Sequence, residues 1–218
     1  MLARPSKRAT LARPGSALVI DGFLRSGNTF SVAAFIVANG PEHHIGRHLH
    51  GAPHLLRAAR LGIPAVLLVR RPADAVASYL VRRPSLTAGD AVLEYLDFYE
   101  TAWRARSHFV VGLFDDVVSD FGGVIRSVNA RFGTAFEPYQ PTPENERAAF
   151  LLVEEMNRRE CRGNVVESHV GRPSAERERD KGRVREQLAT AQVRVLLCRA
   201  DELYARYEAL RRAAPATG

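Results

Sequence analysis

Three short stretches of this 218-residue chain carry side chains able to hold or move charged groups. In "VIDGFLRSGNTF", residues 19–30, Gly22 and Gly27 have the spacing of the phosphate-binding pattern G-x-x-x-x-G-K-[ST], with Asn28 where that pattern has lysine. A glycine-rich turn leading into a helix aims backbone N–H groups and the helix's positive end at an anion. Ser26, Asn28 and Thr29 add side-chain donors, and Arg25 is the loop's only cation. The missing lysine argues against ATP or GTP, because that lysine reaches the terminal phosphates. The second stretch, "VLLVRRPADAVASYL" at 66–80, ends an apolar run on Arg70, opens a helix at Pro72 and sets Ser78 about two turns in. A guanidinium offers a fork matched to phosphate oxygens, and a serine hydroxyl can donate to the same group.

The third stretch, "EHHIGRHLHGAPH" at 42–54, holds five of the seven histidines. Metal binding would use His44 with His48, or His50 with His54, four apart on a helix. Gly46, Gly51 and Pro53 interrupt any helix there and no cysteine or carboxylate completes a set, so no metal is expected. The other use is general base catalysis, which suits imidazole near neutral pH. His48 and His50, two residues apart, share one side of an extended segment and are the two candidates.

The elements that must position these groups read as alternating strands and helices. Apolar runs at 17–20, 65–69 and 109–114 lack polar alternation, as parallel strands covered on both faces do. Helical stretches are expected at 28–39, 53–61, 73–82 and 88–106, and a further one after the third strand, closed by Gly133. That order predicts a single α/β domain over residues 1–218, three layers around a mainly parallel sheet. Residues 1–15 are expected to be flexible. From 137 the texture turns proline-rich, 161–174 is irregular, and about 174–212 should form one long helix laid on the body through positions 188, 193, 196, 197, 203 and 207.

Together, "GFLRSGNTF" and "VRRPADAVASY" resemble the sulfotransferases that use 3′-phosphoadenosine 5′-phosphosulfate (PAPS). That family's first loop is commonly written G-F-P-[RK]-S-G-T-T-[WFL] and its second motif R-[DN]-P-x-D-x-x-x-S. The resemblance extends to "FVVGLFDDVVSDFGGVIRSVNARFG", where Asp115 and Asp116 stand where the family often has Y-E-D-L, and is specific to about residue 134. It implies a P-loop NTPase-like fold. It assigns Arg25, Ser26, Gly27, Asn28, Thr29 and Phe30 to the 5′-phosphosulfate and Arg70 with Ser78 to the 3′-phosphate; Asp74 would be structural. In that family a histidine, often in T-H-L-P, precedes the second motif, and here His48 stands twenty-two residues before Arg70. His48 is thus the first candidate for the base and His50 the second. Arg71, Asn28 and Phe114 depart from the pattern, and the family's C-terminal R-K-G has only a faint echo in "RDKG" around Lys181.

The resemblance implies transfer of a sulfuryl group from PAPS, as co-substrate and without a metal, to a hydroxyl or amine. The transfer would be in line, with Arg25 stabilising the departing phosphate. The acceptor would be a small molecule or carbohydrate, its specificity set near 81–90 and 137–173. Two alternatives stand beside it: a P-loop nucleoside or small-molecule kinase, and a non-catalytic nucleotide-binding module.

The net charge of +7 admits an anionic partner. The arginines are scattered rather than massed in a stripe, so nucleic acid is not expected. Cys161 and Cys198 stand alone, which fits a reduced, cytoplasmic protein. No apolar run approaches the roughly 18 residues of a membrane span.

Overall fold

A computed structural model describes residues 10–161, 163–164 and 175–213. Residues 1–9, most of the irregular stretch 161–174 and the side chain of Lys181 lie outside the described residues. The sheet is built from β1 (Leu18–Gly22), β2 (Ile45–Arg47), β3 (Ala65–Val69) and β4 (Val110–Leu113). Its order is β2-β1-β3-β4, and every neighbouring pair is parallel.

The three expected strands are present, β3 with the expected bounds and β1 and β4 with ends that differ by a residue or two. β2 adds a fourth that the sequence does not announce, because three residues containing a glycine and an arginine give no apolar run. It pairs with β1 through Leu18 to Ile45 and Ile20 to Arg47. Its outer side is covered by the chain before β1: the Arg47 N–H donates to the Thr10 carbonyl, 2.9 Å away. Ala12 there is fully buried, so the part of the N-terminal segment from Thr10 onward packs on the body.

Side-chain alternation along the strands sorts the core into two halves. Val19, Leu67, Val69 and Val111 face one apolar cluster; Leu18, Ile20, Val66, Leu68 and Val110 face the other. The first is completed by α2 (Ala52–Arg60), α3 (Pro72–Arg82), α4 (Ala88–Ala102) and α8 (Ala191–Ala213). The second is completed by α1 (Asn28–Asn39), α5 (Phe114–Phe132) and α6 (Pro143–Glu160). Helices therefore cover both faces of the sheet, the arrangement that continuous apolar strands require. Among the described residues no helix is long and apolar enough to cross a membrane.

Two helical expectations change. The stretch 88–106 is α4 followed by a tighter turn of helix at Trp103–His108. The long C-terminal helix is two, α7 (Ala175–Leu188) and α8, separated at 189–190, where Thr190 Oγ1 donates to the Gln187 carbonyl. The proline-rich region also hides α6: Pro143 sits in its first turn and Thr142 caps it by accepting from the Asn145 N–H. Proline there starts a helix because the N–H it lacks would have been unpaired anyway.

Candidate functional site

A parallel sheet collects ligands where connections leave neighbouring strand ends in opposite directions. β1 is that place: α1 carries the chain to β2 on one side, and α2 returns it to β3 on the other. The three motifs meet at this edge, because each follows the end of a strand: 23–30 after β1, 48–54 after β2 and 70–78 after β3.

Gly22 lets β1 and β3 close. A Cβ at Gly22 would lie 2.4 Å from the Leu68 carbonyl oxygen. Gly27, at φ +90°, turns the loop into α1, which starts with no side-chain cap on its first N–H groups. The loop's polar side chains turn inward. Ser26 is fully buried with its Oγ 3.3 Å from the Tyr99 hydroxyl, which itself donates to the Leu68 carbonyl at 2.8 Å. Burial raises the Tyr99 pKa, so the phenol stays a neutral donor. Asn28 donates through Nδ2 to the Phe23 carbonyl at 3.0 Å, and its buried Oδ1 has no hydrogen-bond partner among the described residues. Phe30 packs its ring on Tyr139 and Phe150. Ser26, Asn28 and Phe30 thus shape the loop through their side chains; toward an anion they offer only backbone N–H groups. Thr29 is half-buried at the start of α1.

The cations converge. Arg25 Nε donates to Ser78 Oγ at 2.9 Å, and Arg70 Nη1 donates to the Arg25 carbonyl at 3.0 Å. The Arg70 guanidinium also lies over the Phe114 ring, 4.0 Å from its centre, a cation–π contact that orients it. Tyr95 holds the same residue from behind by donating to the Arg70 carbonyl at 2.8 Å. Beyond Arg70 opens a cavity of about 190 Å³ lined by Arg70, Arg71, Asp74, Phe114, Asp115, Arg185 and Tyr204. Asp74 pairs there with Arg185 at 3.3 Å.

The histidines divide into two roles. Asp21, completely buried at the end of β1, accepts four N–H bonds. Its Oδ1 takes the Gly22 and His50 N–H groups at 3.0 and 3.3 Å. Its Oδ2 takes the Leu49 N–H at 3.2 Å and His54 Nδ1 at 2.7 Å. Since His54 Nε2 accepts from the Ala12 N–H at 2.9 Å, the His54 proton must sit on Nδ1. His54 is therefore a buried bridge from strand to N-terminal segment. His48 and His50 instead are half-buried at the edge, ring centres 5.7 Å apart. His50 Nδ1 lies 3.1 Å from the Gly22 carbonyl; donating to it leaves Nε2 as the accepting nitrogen. Burial pushes the His48 pKa down to about 3, with His50 and the guanidinium groups of Arg47 and Arg82 adding to the effect and Asp21 opposing it. Among the described residues no cluster of histidine, cysteine and carboxylate side chains could hold a metal ion.

Sequence reasoning passed over Asp21, Tyr95 and Tyr99, and weighed His54 only as a metal partner of His50. Asp21 carried a signal: a lone carboxylate closing an apolar run, whose burial demands several donors. The tyrosines carried none, since they reach the loop from α4 through space. Family models and curated proteins give no match to the chain.

Proposed function

We propose that the chain is a PAPS-dependent sulfotransferase with a P-loop-like nucleotide site. The observation that carries this reading is in the backbone. Among the described residues, the only non-glycine positions with left-handed φ are Arg25 at 69°, His48 at 57° and His50 at 49°. Such a conformation costs roughly 1–2 kcal/mol per residue and persists where the surroundings over-determine it, as functional sites do. The three strained residues are a cation and two bases at one sheet edge, the groups that an in-line sulfuryl transfer needs.

In the transfer the acceptor oxygen bonds to sulfur while the bond from sulfur to the 5′-phosphate oxygen breaks. The acceptor's proton goes to a histidine, and adenosine 3′,5′-bisphosphate leaves. Arg25 and the uncapped N–H groups opening α1 supply positive potential to the departing phosphate. Ser78 accepts from Arg25, so its own proton stays available for a 3′-phosphate held also by Arg70. His48 is the base by motif spacing, and its lowered pKa keeps it unprotonated throughout the neutral range. An anionic co-substrate would offset the neighbouring positive charges that weaken its basicity.

Binding isothermal calorimetry tests the nucleotide assignment. Adenosine 3′,5′-bisphosphate should bind about tenfold or more tightly than 5′-AMP, the value of one charged hydrogen-bonded contact. Arg70→Ala should shrink that difference. Equal affinity for the two nucleotides, or a preference for ATP, would refute the reading.

A further inference from the structure

At the β2 end of the site one charge has no counterpart among the described residues. Arg47 is the last residue of β2, next to His48, and its backbone N–H is already committed to Thr10. By strand parity its side chain points to the same face as Ile45, the face that α6 covers. Two other arginines stand nearby, and each is matched. Arg82, at the end of α3, pairs with Glu160 at the end of α6. Arg159 pairs with Glu155, Nε to Oε1, at 2.9 Å. The Arg47 guanidinium has neither an ion pair nor a hydrogen bond among the described residues.

We infer that Arg47 forms, with the ends of α3 and α6, a subsite for an oxyanion group carried by the acceptor: a carboxylate, sulfate or phosphate. The assignment to an acceptor rests on the sulfotransferase reading; the anion subsite does not. A partly buried cation without a partner is unfavourable, and more so beside a like charge. Both conditions hold: burial and the proximity of Arg159 lower the Arg47 pKa. Among the described residues, Glu155 and Glu160 are already engaged by their own arginines, and no ion pair of a carboxylate with Arg47 is formed. An oxyanion from outside would neutralise Arg47. It would also lift part of the positive field that depresses His48 basicity, since Arg47 is one of its sources. An acceptor bound this way brings its hydroxyl within the neighbourhood of the base, whereas a neutral analogue leaves the cation uncompensated. Discrimination then follows from the group left unpaired, the stronger of the two ways to reject a substrate.

The test has two arms. Inorganic sulfate is titrated at constant ionic strength into protein saturated with adenosine 3′,5′-bisphosphate, with the thermal midpoint as readout. The native protein should be stabilised, Arg47→Gln should lose about tenfold in apparent sulfate affinity, and Arg47→Lys should retain part of it. In the second arm, turnover with PAPS is compared for 4-hydroxybenzoate and 4-hydroxybenzyl alcohol. The ratio of their kcat/KM values should favour the carboxylate by about tenfold and fall toward one in Arg47→Gln. A sulfate response unchanged in both Arg47 variants overturns the inference. If the bisphosphate itself does not bind, sulfate is titrated alone. A response that still depends on Arg47 then upholds the subsite, while the sulfotransferase reading falls by itself.

Discussion

Replacing Asp21 with asparagine changes one atom of a buried network, and the cost can be worked from its geometry. The carboxylate accepts from four N–H groups, two on each oxygen. An amide of the same shape has one accepting oxygen, so whichever way it is turned two donors face an NH₂ group. Turned to keep Gly22 and His50, it opposes Leu49 and His54. His54 could answer by moving its proton to Nε2, but that nitrogen now accepts from the Ala12 N–H, and the conflict only moves outward. Two unsatisfied donors at about 1–3 kcal/mol each give a loss of roughly 2–6 kcal/mol. This is a large share of the 5–15 kcal/mol typical of a domain. Urea denaturation should show the midpoint falling at constant slope. A double-mutant cycle with His54→Phe should give a coupling of about 1–3 kcal/mol, since the two side chains share one hydrogen bond. Asp21→Asn within about 0.5 kcal/mol of the native protein would refute the reasoning, and with it the claim that both Asp21 oxygens are needed to satisfy the four donors.

Further outcomes follow from the same edge. Gly22→Ala sets a methyl group 2.4 Å from the Leu68 oxygen. Forcing β1 from β3 should cost about 3 kcal/mol or more and lower the melting temperature by roughly 6–12 °C for a chain of this size. His48 has a folded pKa of about 3 against about 6.5 unfolded, so below 6.5 the unfolded chain binds the extra proton. Stability should therefore fall as pH drops through that window, by at most about 1.4 kcal/mol per pH unit for this group, and His48→Asn should remove that slope in urea titrations at pH 5 and 7. In turnover assays His48→Ala should lower kcat by about 10²–10⁴-fold. The native kcat/KM should lack a His48 limb near pH 6.5; a loss confined to His50→Ala would move the base to that residue.

How much of this was legible in the sequence depended on whether the signal was local. The strands 65–69 and 109–114 were readable because burial on both faces leaves no polar residue in the run. β2 was not, since "IGR" owes its strand pairing to Ile20 and Leu18 rather than to its own composition. α6 was obscured because its buried residues, Ala149, Val153 and Asn157, form a stripe too narrow to stand out among charges. In the site, Arg25, Arg70 and Ser78 could be named from spacing, and they lie within one hydrogen-bonded chain. The inward turn of Ser26 and Asn28 could not, because it depends on Tyr99 reaching across from α4 and on the Phe23 carbonyl. Spacing identifies which backbone segment meets a ligand; which way each side chain turns is decided by packing.

The end of β1 joins the two halves of the site physically. Asp21 fixes the backbone of residues 49 and 50 through their N–H groups, and Gly22 receives the His50 ring on its carbonyl. One residue later the chain enters the loop whose Arg25 carbonyl holds Arg70. A displacement of β1 by a few tenths of an ångström would therefore move histidines and cations together, and their separation would be kept. That rigidity explains why strain is concentrated at Arg25, His48 and His50: their backbones are set by β1 and its bonds rather than by their own preferences. In the proposed sulfuryl transfer, which would align an incoming oxygen, a transferring group and a departing phosphate along one line, such coupling would be a gain, because effective alignment tolerates little relative motion.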